Sequence, residues 1–157
     1  MQPRIEIFKG KKFVGQRIKM SLTENKTAEL WKGFMPRRNE IQDQTQVSDH
    51  YSIQVYDSQY FTQFNPTNNF EKWAAKEVSY FSIIPKDMET FLIESGQYAV
   101  FDYKGSSLDF RIFEYIFGTW LPNSIYKLDN RPHFQVMGEK YKNASPESEE
   151  EIWIPIR

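Results

Sequence analysis

The segment TWLPNSIYKLDNRPHFQVMGEKY, residues 119–141, decides the fold of this chain of 157 residues. A helical pattern ends at Trp120-Leu121-Pro122, the chain turns, and a strand begins in which Gln135 stands between two apolar neighbours. The same features occur earlier in the same order, because Phe34-Met35-Pro36 ends a helical pattern and Ile53-Gln54-Val55 follows it. The segment therefore resembles a second copy of a unit that the chain already contains.

A third match completes this internal repeat. Glu71-Lys72-Trp73 corresponds to Glu151-Ile152-Trp153, and the glutamine-to-tryptophan separations are 19 residues (54 to 73) and 18 residues (135 to 153). One match of three residues can arise by chance, but three in the same order and at nearly equal spacing indicate a duplicated strand–helix–strand–strand unit. The repeat also predicts that Phe70–Tyr80 is a strand, because its counterpart EIWIPI is strongly strand-like.

The repeat leads to a specific fold class. We predict an α+β fold of duplicated strand–helix–strand–strand units related by a pseudo-twofold axis, with antiparallel sheets backed by helices around a central groove. At this length the chain is expected to form a single domain over residues 1–157. Its two halves are expected at about 1–85 and 86–157.

The composition argues against several classes of function. A net charge of −1 gives no electrostatic reason to expect binding to nucleic acid or to an anionic membrane. The absence of cysteine excludes disulfides, thiolate metal sites and a cysteine nucleophile, and two histidines are too few for a zinc site. The sequence has no long apolar run, and MQPRIEIFKGKK at its start lacks the apolar core expected of a signal peptide. We predict a cytoplasmic protein without metal or cofactor, whose 17% of aromatic residues suit a ligand cleft.

Strand alternation predicts which side chains share a face of the sheet. Ile152 is expected under the helices, and Phe134, as an apolar neighbour in the preceding strand, is expected there with it. Gln135, Gln54 and Trp153 would then point to the opposite face. Two arrangements remain: the opposite faces line an open groove, which we favour, or they close on each other and the two amides hydrogen-bond. The predicted ligand-binding residues are Gln54, Tyr56, Trp73, Trp120, Gln135, Met137, Glu151 and Trp153, with no catalytic residue among them.

Several motifs resemble one known family. GQYAVFDYKG (96–105), a helix ending in WLPNS (120–124), RPHFQV (131–136) and the terminal EIWIPI (151–156) are similar to GyrI-like, AraC-type effector-binding domains. The resemblance implies duplicated units with a ligand groove between them. Some members are effector domains attached to DNA-binding segments, some bind or sequester toxic small molecules alone, and some are similar to hydrolases of cyclopropane-containing toxins.

One position departs from the family pattern. Many members have a glutamate where this chain has Gln135, and an amide neither carries charge nor acts as an acid or base. We therefore favour a stand-alone, non-enzymatic binder of a small lipophilic or aromatic molecule, without direct contact to nucleic acid or membrane. The alternatives are a hydrolase with an atypical acid, for which Glu151, Glu77 or Asp102 would substitute, and a protein-interaction module.

Overall fold

The computed structural model describes residues 1–46 and 48–157. Over these residues the strands are β1 (Arg4–Phe8), β2 (Lys11–Met20), β3 (His50–Val55), β4 (Phe70–Val78), β5 (Glu89–Ile93), β6 (Gly96–Lys104), β7 (His133–Met137) and β8 (Glu149–Pro155). The first helix, α1, spans Thr27–Phe34 and continues as a 3-10 helix over Met35–Glu40. The second helical segment consists of α2 (Arg111–Tyr115), a π-helical turn (Ile116–Trp120) and a last α-helical turn (Leu121–Asn123).

All eight strands form one antiparallel sheet in the order β1-β6-β8-β7-β3-β4-β2-β5. The two sheets expected from the repeat are joined, because β3 pairs with β7 over five residue pairs from His50↔Met137 to Gln54↔His133. The order is symmetric about this central pair: β4 corresponds to β8, β2 to β6 and β5 to β1. The region Phe70–Val78 is a strand, as the repeat predicts. Superposition of the two halves by a twofold rotation stays a prediction.

The sheet is strongly curled. Phe8 in β1 and Phe134 in β7 have ring centroids 5.1 Å apart, although β6 and β8 lie between these strands. In a flat sheet, three strand spacings of about 4.8 Å would separate them by about 14 Å. The face that carries both rings is therefore concave and closes on itself. It forms an aromatic core whose buried members include Phe8, Phe13, Tyr51, Ile53, Trp73, Tyr98, Val100 and Phe134.

The helices lie on the convex face. Leu30 and Phe34 of α1 pack against Ala74 of β4, and Ile116 of the second helical segment packs against Ile152 of β8. Burial of these apolar stripes stabilises both helices on the sheet, since short helices are marginal in isolation. Each helix thus covers the outer strands of one half, and the central strands β3 and β7 lie between them.

The apolar residues of the two helical segments are only partly in the core. Leu30, Phe34 and Ile116 are buried, whereas Phe113, Phe117 and Trp31 are only partly buried. Part of the second helix's apolar surface is therefore left to face the space between the helices. Among the described residues, no helix has the length and apolar content needed to cross a lipid bilayer.

Candidate ligand-binding site

The predicted faces of β7 are reversed in the structure. Phe134 pairs directly with Trp153, and Gln135 pairs with Ile152. Residues directly opposite each other in a sheet point to the same face, so Gln135 lies on the helix side with Ile152, and Phe134 lies in the concave core. The expectation that Phe134 packs under the helices was wrong, because the curl of the sheet buries the concave face without any helix.

The helix-side residues of the two central strands lie on one face of the sheet between α1 and the second helical segment, and we call this surface the central trough. Its floor consists of Ser52, Gln54, Tyr56, His133, Gln135 and Met137, where Tyr56 directly follows β3. Of the eight predicted ligand-binding residues, the trough brings together Gln54, Tyr56, Gln135 and Met137.

Two glutamines meet at the centre of this floor. Gln54 Nε2 donates to Gln135 Oε1 at 2.9 Å, and Gln135 Nε2 donates to Gln54 Oε1 at 3.1 Å. The second N–H of Gln54 goes to Ser52 Oγ at 2.9 Å. Both amides are buried, so each depends on the other for hydrogen bonds that water would otherwise provide. The two amides thus hydrogen-bond each other, as in the closed arrangement considered from the sequence. They do so as neighbours on adjacent strands of one sheet and not across two facing sheets.

Two hydrogen-bonding groups in this region have no partner among residues 1–46 and 48–157. Gln135 gives one N–H to Gln54, and no acceptor for its second N–H lies among the described residues. His50, which pairs with Met137 at the end of the trough beneath Trp31, has a buried Nε2 without a partner within the described part of the chain. Burial lowers the pKa of His50 to about 4, with Lys76 and Arg38 adding to the shift, so the imidazole is neutral. Buried polar groups of this kind are suited to orient a bound molecule.

Aromatic rings cover the other end of the trough. Tyr56 contacts His133 edge to face at 4.9 Å, and Phe61 from the loop of residues 57–69 stacks on His133 at 5.3 Å with an interplanar angle of 7°. Phe117 contacts both Phe61, at 5.1 Å, and His133, at 6.1 Å, so the three rings form one cluster. Burial, with a smaller effect of Arg131, lowers the pKa of His133 to about 3, and burial raises the pKa of Tyr56. Both side chains are therefore uncharged at neutral pH.

Two charged residues that the sequence prediction missed border the trough. Lys72 in β4 pairs with Gln54, and its Nζ donates to Thr27 Oγ1 of α1 at 3.0 Å. Glu150 in β8 shares the helix side with Ile152, and no hydrogen bond or ion pair to its carboxylate occurs among the described residues. Burial lowers the pKa of Lys72 to about 8 and raises that of Glu150 to about 7, and each charge partly offsets the shift of the other.

Three predicted site residues, Trp73, Glu151 and Trp153, lie outside the trough. They belong to the concave side, where the Trp73 indole donates to Glu71 at 2.7 Å and the Trp153 indole donates to Glu151 at 3.0 Å. Their inclusion in one pocket with the glutamines was wrong, since the alternation places them across the sheet.

Trp120, the fourth of the misplaced residues, is on the helix side but away from the amides. It packs edge to face on Phe101 of β6 at 5.2 Å, within the core of the second half. Its other side borders a separate cavity of about 420 Å³ together with Ile5, Tyr115 and Tyr126.

The three carboxylates considered as substitutes for a catalytic glutamate are also outside the trough. Glu151 and Asp102 both bind Arg4, and Glu77 binds Lys11 at 3.1 Å. Glu150 is the carboxylate that the structure does place on the helix side of β8. Within residues 1–46 and 48–157, no three histidine or acidic side chains come together as metal ligands would.

The curled eight-stranded sheet, its two convex-side helices and the aromatic trough with an amide floor define an effector-binding fold. The chain belongs to the family of integron-associated effector-binding proteins, whose family model (Cass2) matches residues 4–156. Among curated proteins there is no match. The resemblance to effector-binding domains inferred from the sequence motifs is thereby confirmed.

Solved structures share the fold over the whole chain. An integron cassette protein from the mobile metagenome of Vibrio cholerae has 17% identity and a TM-score of 0.68, and the alignment covers 99% of this chain and 96% of that one. SAV2435 bound to tetraphenylphosphonium has 14% identity and a TM-score of 0.69, with 100% and 94% covered. The C-terminal domain of EcmrR has 12% identity and a TM-score of 0.69, with 99% and 97% covered. At these identities the likeness concerns the fold.

Proposed function

We propose that this protein is a non-enzymatic binder of a small lipophilic or aromatic molecule, which it holds in the central trough. The observation that carries the proposal is the buried Gln54–Gln135 pair on the face that carries the helices, in which one N–H of Gln135 has no acceptor among the described residues. Apolar walls with a few oriented polar groups are the usual composition of a ligand site. Membership of an effector-binding family and the tetraphenylphosphonium complex of SAV2435 support the proposal.

The amide floor favours a neutral ligand group that accepts a hydrogen bond. Gln135 can donate its second N–H but offers no charge to a cation. The amino group of Lys72, which lies beside Gln54, further disfavours a cation at this end of the trough. Sensing of an effector and sequestration of a toxic compound both fit such a site, since each requires only reversible binding.

The test compares two probes of similar shape, the cation tetraphenylphosphonium and the neutral acceptor triphenylphosphine oxide, by calorimetry between pH 5 and 9. We expect the wild-type protein to prefer the phosphine oxide and Gln135→Glu to shift the preference toward the cation, because a buried carboxylate needs a positive partner. Gln135→Leu should weaken binding of the oxide, and Gln42→Leu, an exposed glutamine outside the trough, should not.

Two results would contradict this assignment. Equal preferences of the wild-type protein and Gln135→Glu at every pH would show that position 135 does not face the ligand. Absence of binding in a wider thermal-shift screen of neutral and cationic aromatic compounds would refute the binding function itself. A compound present at a hundred times its dissociation constant should add about 2.7 kcal/mol of stability, which such a screen detects.

Glu150 favours a second candidate function, hydrolysis of a small molecule bound in the trough. A partly buried carboxylate with a pKa near 7 and no ion pair within 4 Å among the described residues can act as a general acid or base. Product analysis by mass spectrometry after incubation with cyclopropane-containing and aromatic ester substrates tests this candidate. Addition of water that disappears in Glu150→Gln, with a rate that titrates near pH 7, would support hydrolysis. Recovery of every substrate unchanged would reject it.

A further inference from the structure

A cavity of about 420 Å³ lies at one edge of the sheet, between β1 and the second helical segment, and we call it the edge cavity. Ile5 of β1 forms one side, and Thr119 and Trp120 of the π-helical turn form another. Ser124 and Tyr126, which follow the last helical turn, complete the wall. No residue of the trough floor lines this cavity, so it is a separate place on the described part of the chain.

The lining of the edge cavity carries no charged side chain among the described residues, although 26% of the residues of the chain are charged. Its apolar part includes Ile5, Trp120 and Tyr126, and its polar part consists of uncharged hydroxyl and amide groups. One of these is Asn123, which donates one N–H to the backbone oxygen of Thr119 at 2.7 Å. The amide oxygen of Asn123 has no partner within residues 1–46 and 48–157. Such a lining favours an uncharged molecule, because a charged one would lose water without gaining a counter-charge.

The walls of the edge cavity are held by contacts within the protein. Ile5 is paired with Ala99 of β6. Trp120 packs edge to face on Phe101 at 5.2 Å, and the ring of Tyr126 stacks on Trp120 at 6.2 Å with an interplanar angle of 22°. A molecule that enters the cavity would therefore need to order few side chains, which lowers the free energy that binding costs.

The size of the edge cavity suits a small molecule. Its volume lies within the range of about 300–1,000 Å³ that is typical of ligand pockets. Ile125 lines the cavity and is 91% exposed, so a bound molecule would cover an apolar side chain that now faces water. The π-helical turn that supplies Thr119 and Trp120 is a further indication, because π-helical turns are rare and often occur at functional sites.

We propose that the edge cavity is a second ligand site, which binds a small uncharged lipophilic molecule with a hydrogen-bond donor for the amide oxygen of Asn123. The observations that carry this inference are the volume, the uncharged lining and the exposed Ile125. The site is independent of the function proposed for the trough, so either assignment can fail without the other. Trp120 then contacts a ligand, but not the ligand of the trough.

The first experiment adds indole, an uncharged ring with one N–H donor, to the wild-type protein and follows the backbone amide signals by NMR. We expect the signals of Thr119, Trp120 and Ile125 to shift and those of Gln54 and Gln135 to stay in place. Shifts at the two glutamines without a shift at Ile125 would place indole in the trough and overturn the inference. Absence of any shift up to the solubility limit of indole would overturn it as well.

The second experiment fills the cavity. Ile5→Trp places a larger side chain in it and should weaken the binding of indole on the order of tenfold or more, because the ring and the new side chain need the same space. Ile7→Trp is the matched control, since Ile7 lies on the same face of β1 and is 66% exposed but does not line the cavity. Equal affinities of the two variants would contradict the assignment.

The third experiment tests the uncharged lining with tryptamine, a cationic analogue of indole. In the wild-type protein tryptamine should bind no more tightly than indole, because the cavity offers no negative charge. Thr119→Asp adds a carboxylate at an exposed position of the lining and should increase the affinity for tryptamine, whereas Thr119→Asn, which is similar in shape and uncharged, should not. A clear preference of the wild-type protein for tryptamine, or the same change in both variants, would overturn the proposed class of ligand.

Discussion

Replacement of Glu150 by glutamine is expected to stabilise the folded protein above pH 7. Burial raises the pKa of this carboxyl group from 4.5 to about 7. At about 1.4 kcal/mol per pKa unit, a difference of about 2.5 units sets an upper limit of about 3 kcal/mol on the destabilisation by the charged form. Lys72 loses a favourable neighbour in the variant, and the carboxylate is partly solvated, so we expect a gain of about 2 kcal/mol.

The sign of the pH dependence follows from the two pKa values of Glu150. In the unfolded chain the group ionises near pH 4.5, and in the folded protein it ionises near pH 7. Between these values the unfolded state binds fewer protons, so the contribution of Glu150 to stability falls as pH rises through this window and stays low above it. His133 acts in the opposite sense: as pH falls from 6.5 toward 3, the unfolded chain takes up a proton that the buried imidazole of the folded protein does not, so its contribution to stability falls. Both proteins contain His133, so its effect cancels in the difference between their unfolding free energies at each pH.

The assay is urea unfolding, followed by tryptophan fluorescence, from pH 4.5 to 8.5. The two proteins should have similar unfolding free energies at pH 4.5 and should diverge progressively up to pH 7.5. Glu149→Gln is the matched control, because Glu149 is the preceding residue of β8, points to the other face and is exposed. A constant difference between the unfolding free energies of the wild-type protein and Glu150→Gln from pH 4.5 to 8.5 would contradict a raised pKa of Glu150.

Three further outcomes can be measured by denaturant or thermal unfolding. Gln54→Leu and Gln135→Leu should each destabilise by about 1–3 kcal/mol by leaving a buried amide unpaired, and the double variant should lose at least about 1 kcal/mol less than the sum. Ile116→Ala should lower the unfolding free energy by about 3 kcal/mol, since Ile116 is fully buried, and a change below about 1 kcal/mol would mean that it is not core. Gly15→Ala should destabilise by about 2 kcal/mol or more, because its β-carbon would collide with the backbone of β4, whereas Gly33→Ala in α1 should stabilise by about 0.5–1 kcal/mol.

The repeat carried most of the fold prediction. It identified Phe70–Val78 as a strand, because the counterpart in β8 was unambiguous. The ends of elements are harder to predict. The second helix begins at Arg111, whose backbone N–H donates to the side chain of Asp109 at 3.1 Å. Ser106, Ser107 and Asp109 all precede it and all favour helix starts, so local sequence does not choose among them.

The site was harder to predict because it depends on the curl of the sheet. Alternation correctly separates Gln135 from Phe134, but which face the helices cover depends on long-range packing. The rule that apolar residues lie under helices fails where the concave face buries itself. Glu150 was missed for a related reason. It lies within a run of three glutamates, a pattern typical of a solvated loop, and its side chain lies on the helix side because the run forms the start of β8. Phe61 reaches the trough through a loop whose path has no periodic signal.

The exchange of edge strands ties the two halves of the sheet together. β1 belongs to the first half in sequence but pairs with β6 of the second, and β5 belongs to the second half but pairs with β2 of the first. The two-residue connections Lys9-Gly10 and Glu94-Ser95 therefore interlock the halves. A hinge at the β3–β7 seam would have to pull β1 or β5 off its partner strand, which breaks five backbone-paired positions at either edge. Separating the halves at this seam would therefore cost the backbone hydrogen bonds of an edge strand, whereas the trough lies on the convex face and can be reached with the halves in place.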